Sequence, residues 1–149
     1  MTDLGDVARL AAAGRHLAVF AVARPDGAVH ASLVSAGVME DPVDGSPGVA
    51  AVLGGGTRKL ALVRHSGLAT LVFTHGFDWA AVSGAVRLVG PDDGSDLGLD
   101  VPGIIRSVFV AAGGSHEDWA EFDRVMAAER RCAVFVRAGS IAANPPRPG

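Results

Sequence analysis

The sequence has no tyrosine, one cysteine and one lysine. The single Cys132 excludes an internal disulfide and cannot build a cysteine-rich metal site, so no metal is expected. Charge is scarce as well: 19 % of residues are charged, and 13 basic side chains face 16 acidic ones. The net charge of −3 argues against a nucleic-acid partner, which would need a basic surface. No apolar run is long enough to span a bilayer, and Met1-Thr2-Asp3 opens with neither a basic region nor a cleavage pattern. A cytoplasmic protein without a membrane partner is therefore expected. The GxSxG and HExxH signatures do not occur, and neither do the Walker or GxGxxG phosphate-binding spacings. Repeats and domain-separating linkers are missing too. Residues 1–149 read as one domain, large enough for a proper core.

What the chain has in quantity is apolar side chains, 49 % of the total. That is high for a soluble monomer, and a subunit interface is expected to cover part of it. Thr2 or Asp3 can cap an opening helix that Gly14 ends. Residues 16–23 are apolar on both faces, as in a barrel or sandwich strand. Arg24-Pro25-Asp26-Gly27 is a turn, and the return strand, 28–39, alternates His30, Ser32 and Val34 against Val29, Ala31 and Leu33. Further strands are expected at 49–53, 68–74 and 79–89, with Gly84 marking a bulge or corner in the last. Residues 91–103 read as a loop. An apolar helical stripe then runs from Ile104 to Ala112, and Ser115-x-x-Asp118 resembles a capping box for a helix carrying Trp119, Phe122 and Met126. A sixth strand at 131–136 and an unstructured tail at 144–149 complete the chain. Hairpin-like links with helices gathered late give an α+β fold, a six-stranded antiparallel barrel with flanking helices.

The most informative stretch is Gly54-Gly55-Gly56-Thr57-Arg58-Lys59-Leu60. Three glycines let a backbone approach a ligand closely, and Thr57 can start a short helix whose first N–H groups favour an anion. Arg58 and Lys59 add two positive charges there, and Lys59 is the only lysine among 13 basic residues. The stretch reads either as a phosphate grip or as a solvated basic turn.

The order strand, Arg-Pro-Asp-Gly turn, strand, glycine turn with Thr57-Arg58-Lys59-Leu60, strand, and long Trp79-to-Val89 strand resembles a known family. It looks like the pyridoxamine 5′-phosphate oxidase-like split β-barrels, and within them the F420-dependent oxidoreductases of actinobacteria. Val125-Met126-Ala127-Ala128-Glu129-Arg130-Arg131-Cys132-Ala133-Val134 is similar to that subgroup's junction between helix and last strand. The resemblance implies a homodimer with each cofactor in a groove between barrels. It implies that Lys59, with Arg58, Thr57 and the adjoining Gly55 and Gly56, grips the cofactor's phosphate. Ser32 and Val34 would lie near the ring, with His30 further along that face. Trp79 would stand near the ring edge, and Arg130 or Arg131 would reach the cofactor's acidic tail.

A flavin or deazaflavin carries the hydride itself, which suits a chain with no tyrosine and no evident acid–base pair. The resemblance thus implies hydride transfer between coenzyme F420 and a small unsaturated substrate. Proton delivery would come from solvent or from a histidine, His30 being the candidate catalytic residue. FMN in the same groove is the alternative, as is a non-catalytic protein that holds F420, flavin or haem. Cys132, inside an apolar strand, reads as inert.

Overall fold

A computed structural model describes residues 2–145. The elements in chain order are α1 (Leu4–Ala13), β1 (Leu17–Ala23), β2 (Val29–Val38), β3 (Gly48–Leu53), α2 (Arg58–Ser66), β4 (Leu68–His75) and β5 (Asp78–Val89). They are followed by α3 (Val101–Ala111), α4 (Trp119–Ala128), β6 (Cys132–Arg137) and β7 (Ser140–Ala143). Six strands pair in the order β4-β1-β2-β3-β6-β5, and β5 returns to β4, closing an antiparallel barrel. The expected α+β barrel with flanking helices is therefore present. A seventh strand, β7, lies along β5 outside the ring.

Burial explains the sequence pattern strand by strand. Phe20, Leu71, Phe73 and Val82 fill the interior with Leu60 and Val63 of α2 and Val7 of α1. On the far side of β3 and β6, α3 and α4 lay Ile105, Val108 and Phe122 against Ala50, Ala133 and Phe135. The strands β3 and β6 are thus covered on both faces, and their sequences are continuously apolar rather than alternating. β1 and most of β2 keep an alternating burial pattern, which ends at Ala36 and Gly37, both buried where α3 packs on the strand.

β5 is long because it serves two sheets. Its first part pairs with β4 and β7, and from Val86 on it pairs with β6. Gly84 stands at that change of partner, where a side chain would run into the Arg137 carbonyl oxygen. The loop after β2 is tied down by Asp41, which is buried and accepts two bonds from Arg87 Nε, at 2.8 and 2.6 Å.

Several boundaries differ from the sequence expectation. Asp100 accepts from the Gly103 N–H and so starts α3 at Val101, inside the expected loop. The cap of α4 is Asp118, accepting from Glu121 N–H, not Ser115. His116 Nδ1 accepts from the Asp118 N–H just before it. Asn144 is anchored: its Oδ1 accepts from Trp79 N–H at 3.0 Å and its Nδ2 donates to the Phe77 carbonyl at 3.3 Å. The rest of the expected tail, from 146 on, lies outside the described residues. No helix among the described residues is long and apolar enough to cross a membrane.

Two outcomes test this packing. Gly84→Ala is expected to cost about 1–3 kcal/mol, the scale of overpacking, in a urea denaturation curve. An unchanged midpoint would mean that the strand corner yields freely. Cys132 is buried, and that burial, with Asp93 nearby, pushes its thiol up to about 12. It should stay unreacted with a thiol reagent at pH 8 until the protein is unfolded. Stoichiometric labelling of the native protein would contradict the assignment.

Candidate functional site

The ring is closed but one seam in it is short. β2 pairs with β1 along its length, whereas it pairs with β3 only at residues 36–38. The Ala36 N–H donates to His16, so even-numbered residues of β2 turn their backbone groups toward β1. The Met39 N–H donates to Gly48, which puts the odd-numbered residues on the β3 side. Past Ala36 the ladder stops, and the backbone groups of Ser35 and Leu33 face the opening. A cleft of about 520 Å³ occupies it. Leu33, Val34 and Ser35 form one lip, and Leu53, Gly54, Thr57 and Lys59 the other. Phe109 and Ala112 from the end of α3, with Met126 and Arg131, form the far wall.

Each member of the glycine–threonine–lysine stretch has a distinct task. Gly55 donates its N–H to the Glu129 carbonyl at 3.1 Å, and a side chain there would collide with Arg130. That glycine is required by the packing of the turn on the α4–β6 junction. A side chain at Gly56 would meet nothing, so the position is open. Thr57 occupies the N-cap position of α2, but its hydroxyl donates back to the Gly54 carbonyl at 2.8 Å. The sequence suggested a capping threonine; the first turn of α2 instead has no side-chain cap and no acidic residue. Its N–H groups carry the positive end of the helix dipole. Leu60, Leu62 and Val63 are buried and hold the helix in place. Lys59 then reaches across the seam, where Nζ donates to Ser32 Oγ at 3.1 Å.

The other candidate residues divide into two groups. Val34 lines the cleft, and Ser32 sits beneath the Lys59 amine. His30 lies two residues further along the same face, opposite Val22, and does not line the cleft. Arg58 is exposed and outside the lining, with no ion-pair partner among the described residues. Arg130, at φ +49°, packs beside Gly55 and forms a two-pronged ion pair with Asp92. That hydrogen bond holds the Asp92 carboxyl below its usual range. Trp79 is elsewhere: it borders a depression of about 200 Å³ with Asp6, Leu10 and Asn144. The structure thus brings together Ser32, Val34, Thr57 and Lys59 and leaves Trp79 apart.

Leu33, Phe109 and Met126 were not picked out as cleft residues by sequence, whereas Arg131, named with Arg130 for the cofactor's acidic tail, does line the cleft. Phe109 and Met126 belonged to helical stripes that also build the core, and nothing in such a stripe marks the residue that faces a cleft. Arg131 pairs with Glu129 at 2.8 Å. Met126 and Arg131 also border a second, apolar cleft of about 240 Å³ with Pro91, Val101, Pro102 and Ile105. Chemically, the site offers an anion-binding end at Lys59 and α2, open strand edge, and apolar walls. Its lining contains no histidine, carboxylate or thiol.

No protein-family model matches the sequence, and no curated protein matches it. Solved structures do. A conserved hypothetical protein of Mycobacterium tuberculosis superposes with a TM-score of 0.68 at 14 % identity, covering 100 % of this chain and 92 % of its own. A pyridoxamine 5′-phosphate oxidase-related, FMN-binding protein of Nostoc punctiforme gives 0.61 at 11 % identity, covering 93 % and 82 %. An F420 reductase gives 0.57 at 13 % identity, covering 86 % and 90 %. Haem-storage and haem-binding proteins share the architecture as well. The fold of this chain is the split β-barrel that these proteins share.

Proposed function

We propose that the chain is an oxidoreductase that binds a flavin-type cofactor, coenzyme F420 or FMN, in the cleft between β2 and β3. The observation that carries this reading is the Lys59 amine, held by Ser32 at the mouth of the seam beside the uncapped start of α2. A cation and a set of unpaired backbone donors at one point fit a phosphate. Leu33, Val34, Phe109 and Met126 fit an aromatic ring and would shield it from water. The edge groups of Leu33 and Ser35 would hydrogen-bond its polar margin. When bound and reduced, the cofactor would supply a hydride to an electron-poor C=C or C=N bond of a small substrate. The chain contributes binding, orientation and exclusion of water. The accompanying proton would come from solvent or from His30, further along the same face of β2.

Titrating the protein separately with FMN, F420 and haem, and recording the spectra, tests the class of ligand. Lys59→Ala should weaken binding of the preferred flavin by ~1.5–3 kcal/mol, the range for hydrogen bonds to charged groups. Riboflavin, which lacks the phosphate, should bind wild type and variant equally. Equal loss for both ligands would remove Lys59 from the phosphate.

The reading includes a homodimer. Val29, Leu33 and Leu68 are 63 %, 62 % and 60 % exposed, and Leu33 pairs across β1 with Val19, which in turn faces Val72. Together they make an uncovered apolar sheet face that ends at the cleft. Light scattering should report twice the 15.1 kDa chain mass, and Val29→Asp should shift it toward one. A wild-type chain that scatters as a monomer at micromolar concentration contradicts this part.

A further inference from the structure

One face of α3 serves two clefts. Val101, Ile105, Phe109 and, at the cap, Ala112 recur at helical spacing and form a single apolar stripe. Phe109 and Ala112 line the cleft between β2 and β3, whereas Val101 and Ile105 line the apolar cleft of about 240 Å³. Met126 and Arg131 border both, so the two recesses share a wall. Pro91, Pro102 and Ala127 complete the smaller one. Its two charged neighbours are already engaged. Asp123 accepts from Arg106 Nε at 2.8 Å, with a second bond from Nη2, and Arg131 Nε donates to Glu129 at 2.9 Å. The other lining side chains are hydrocarbon and one thioether. A polar group entering here would lose water and gain no side-chain partner.

We propose that the smaller cleft is the substrate pocket of this site, and that it takes the neutral, apolar ring system of an elongated substrate whose electron-poor double bond reaches the shared wall. The inference rests on the proposed reading of the larger cleft as a flavin-type cofactor site. An apolar cavity of about 150 Å³ accepts benzene, so about 240 Å³ suits a larger, bicyclic ring. From Val101 to Phe109 the stripe extends about 12 Å, at 1.5 Å per residue. A fused ring pair with an attached unsaturated group covers that length, and its double bond then lies at Met126 and Phe109, beside the cofactor's ring. Pro91 and Pro102 are rigid walls that suit a planar ring, which loses less freedom on binding than a flexible chain. Met126, unbranched and with three rotatable bonds, adjusts to occupants on both sides. The pocket is built from α3, α4 and the turn after β5, so the dimer contact proposed at Val29, Leu33 and Leu68 uses none of its residues.

The test uses the full chain loaded with whichever flavin it binds, and two probes read by their fluorescence, neutral 2-acetylnaphthalene and charged naphthalene-2-sulfonate. The neutral probe is expected to bind, and the sulfonate at least about tenfold more weakly, because its charge would have to leave water. Ala127→Phe fills the smaller cleft from an exposed helix position that the larger cleft does not use. It should weaken 2-acetylnaphthalene at least about tenfold, the worth of about two buried CH₂ groups, and leave flavin affinity unchanged. Val101→Trp, on the facing wall, should repeat that loss. Saturating 2-acetylnaphthalene should also shift the absorption band of the bound flavin in wild type and not in either variant. Circular dichroism checks that both variants are folded. No binding of the neutral probe, tighter binding of the sulfonate, full probe affinity in the folded variants, or a flavin band that does not move each overturn the inference and leave the cofactor site standing. A wild-type chain that binds no flavin overturns the cofactor reading and the substrate pocket with it.

Discussion

The short ladder between β2 and β3 governs the rest of this structure. In a fully paired barrel every backbone donor and acceptor of β2 would be used, and the interior would be a core and nothing more. Here the pairing ends after residue 36, although β3 runs on to Leu53. The strands separate because the chain leaving β3 must turn at Gly54–Gly56 and pack on the α4–β6 junction, where Gly55 meets Glu129 and Arg130. That contact pulls the end of β3 away from β2. α2 then starts at the lip and buries Leu60, Leu62 and Val63, so that Lys59 is placed by a packed helix rather than by a loop. Among the described residues, the Lys59–Ser32 bond is the side-chain hydrogen bond that joins α2 to β2 across the open part of the seam.

The barrel also has two unlike sides. The far side of β3 and β6 is covered by α3 and α4, and the same helices supply Phe109 and Met126 to the cleft. On the side formed by β1, β2 and β4, Val29, Leu33 and Leu68 stand exposed, with α3 packed on β2 at Gly37, and Leu33 belongs both to that face and to the cleft lip. A second copy laid on this face would complete the wall that the first lacks, which is why the proposed dimer and the proposed site are one argument. The same asymmetry accounts for an apolar content that the interior alone does not absorb.

Much of this was legible in the residues. The glycine triplet and the lone lysine stood out because composition made them rare, and the start of α2 proved to be where they meet Ser32 and Val34. Gly84 was legible as a corner because only a close backbone approach explains a glycine in so apolar a strand. Other features had no local signature. β7 is four residues of Ser-Ile-Ala-Ala whose strand character comes from lying on β5. Trp79 looked suited to a ring edge, yet its place is set by Asn144, 65 residues away in sequence. The partners of Arg64 and Arg130 are 29 and 38 residues off, and no spacing rule reveals such pairs.

Those ion pairs give the single lysine its meaning. Arg64, Arg106 and Arg130 each set the fork of a guanidinium against an aspartate, with Asp93, Asp123 and Asp92 as partners, and Arg87 gives its Nε–H to both oxygens of Asp41. The planar fork matches a carboxylate, so in a chain with 16 acids an arginine readily finds a lasting partner. An ammonium is a compact charge with no such geometric match. Lys59, seated on a neutral hydroxyl, has no carboxylate partner among the described residues. Replacing it by arginine would keep the charge, but would also give the grip a fork able to seek the nearby carboxylates. A cation meant to wait for a phosphate is better built as lysine, and in this sequence it is the one place where lysine is used.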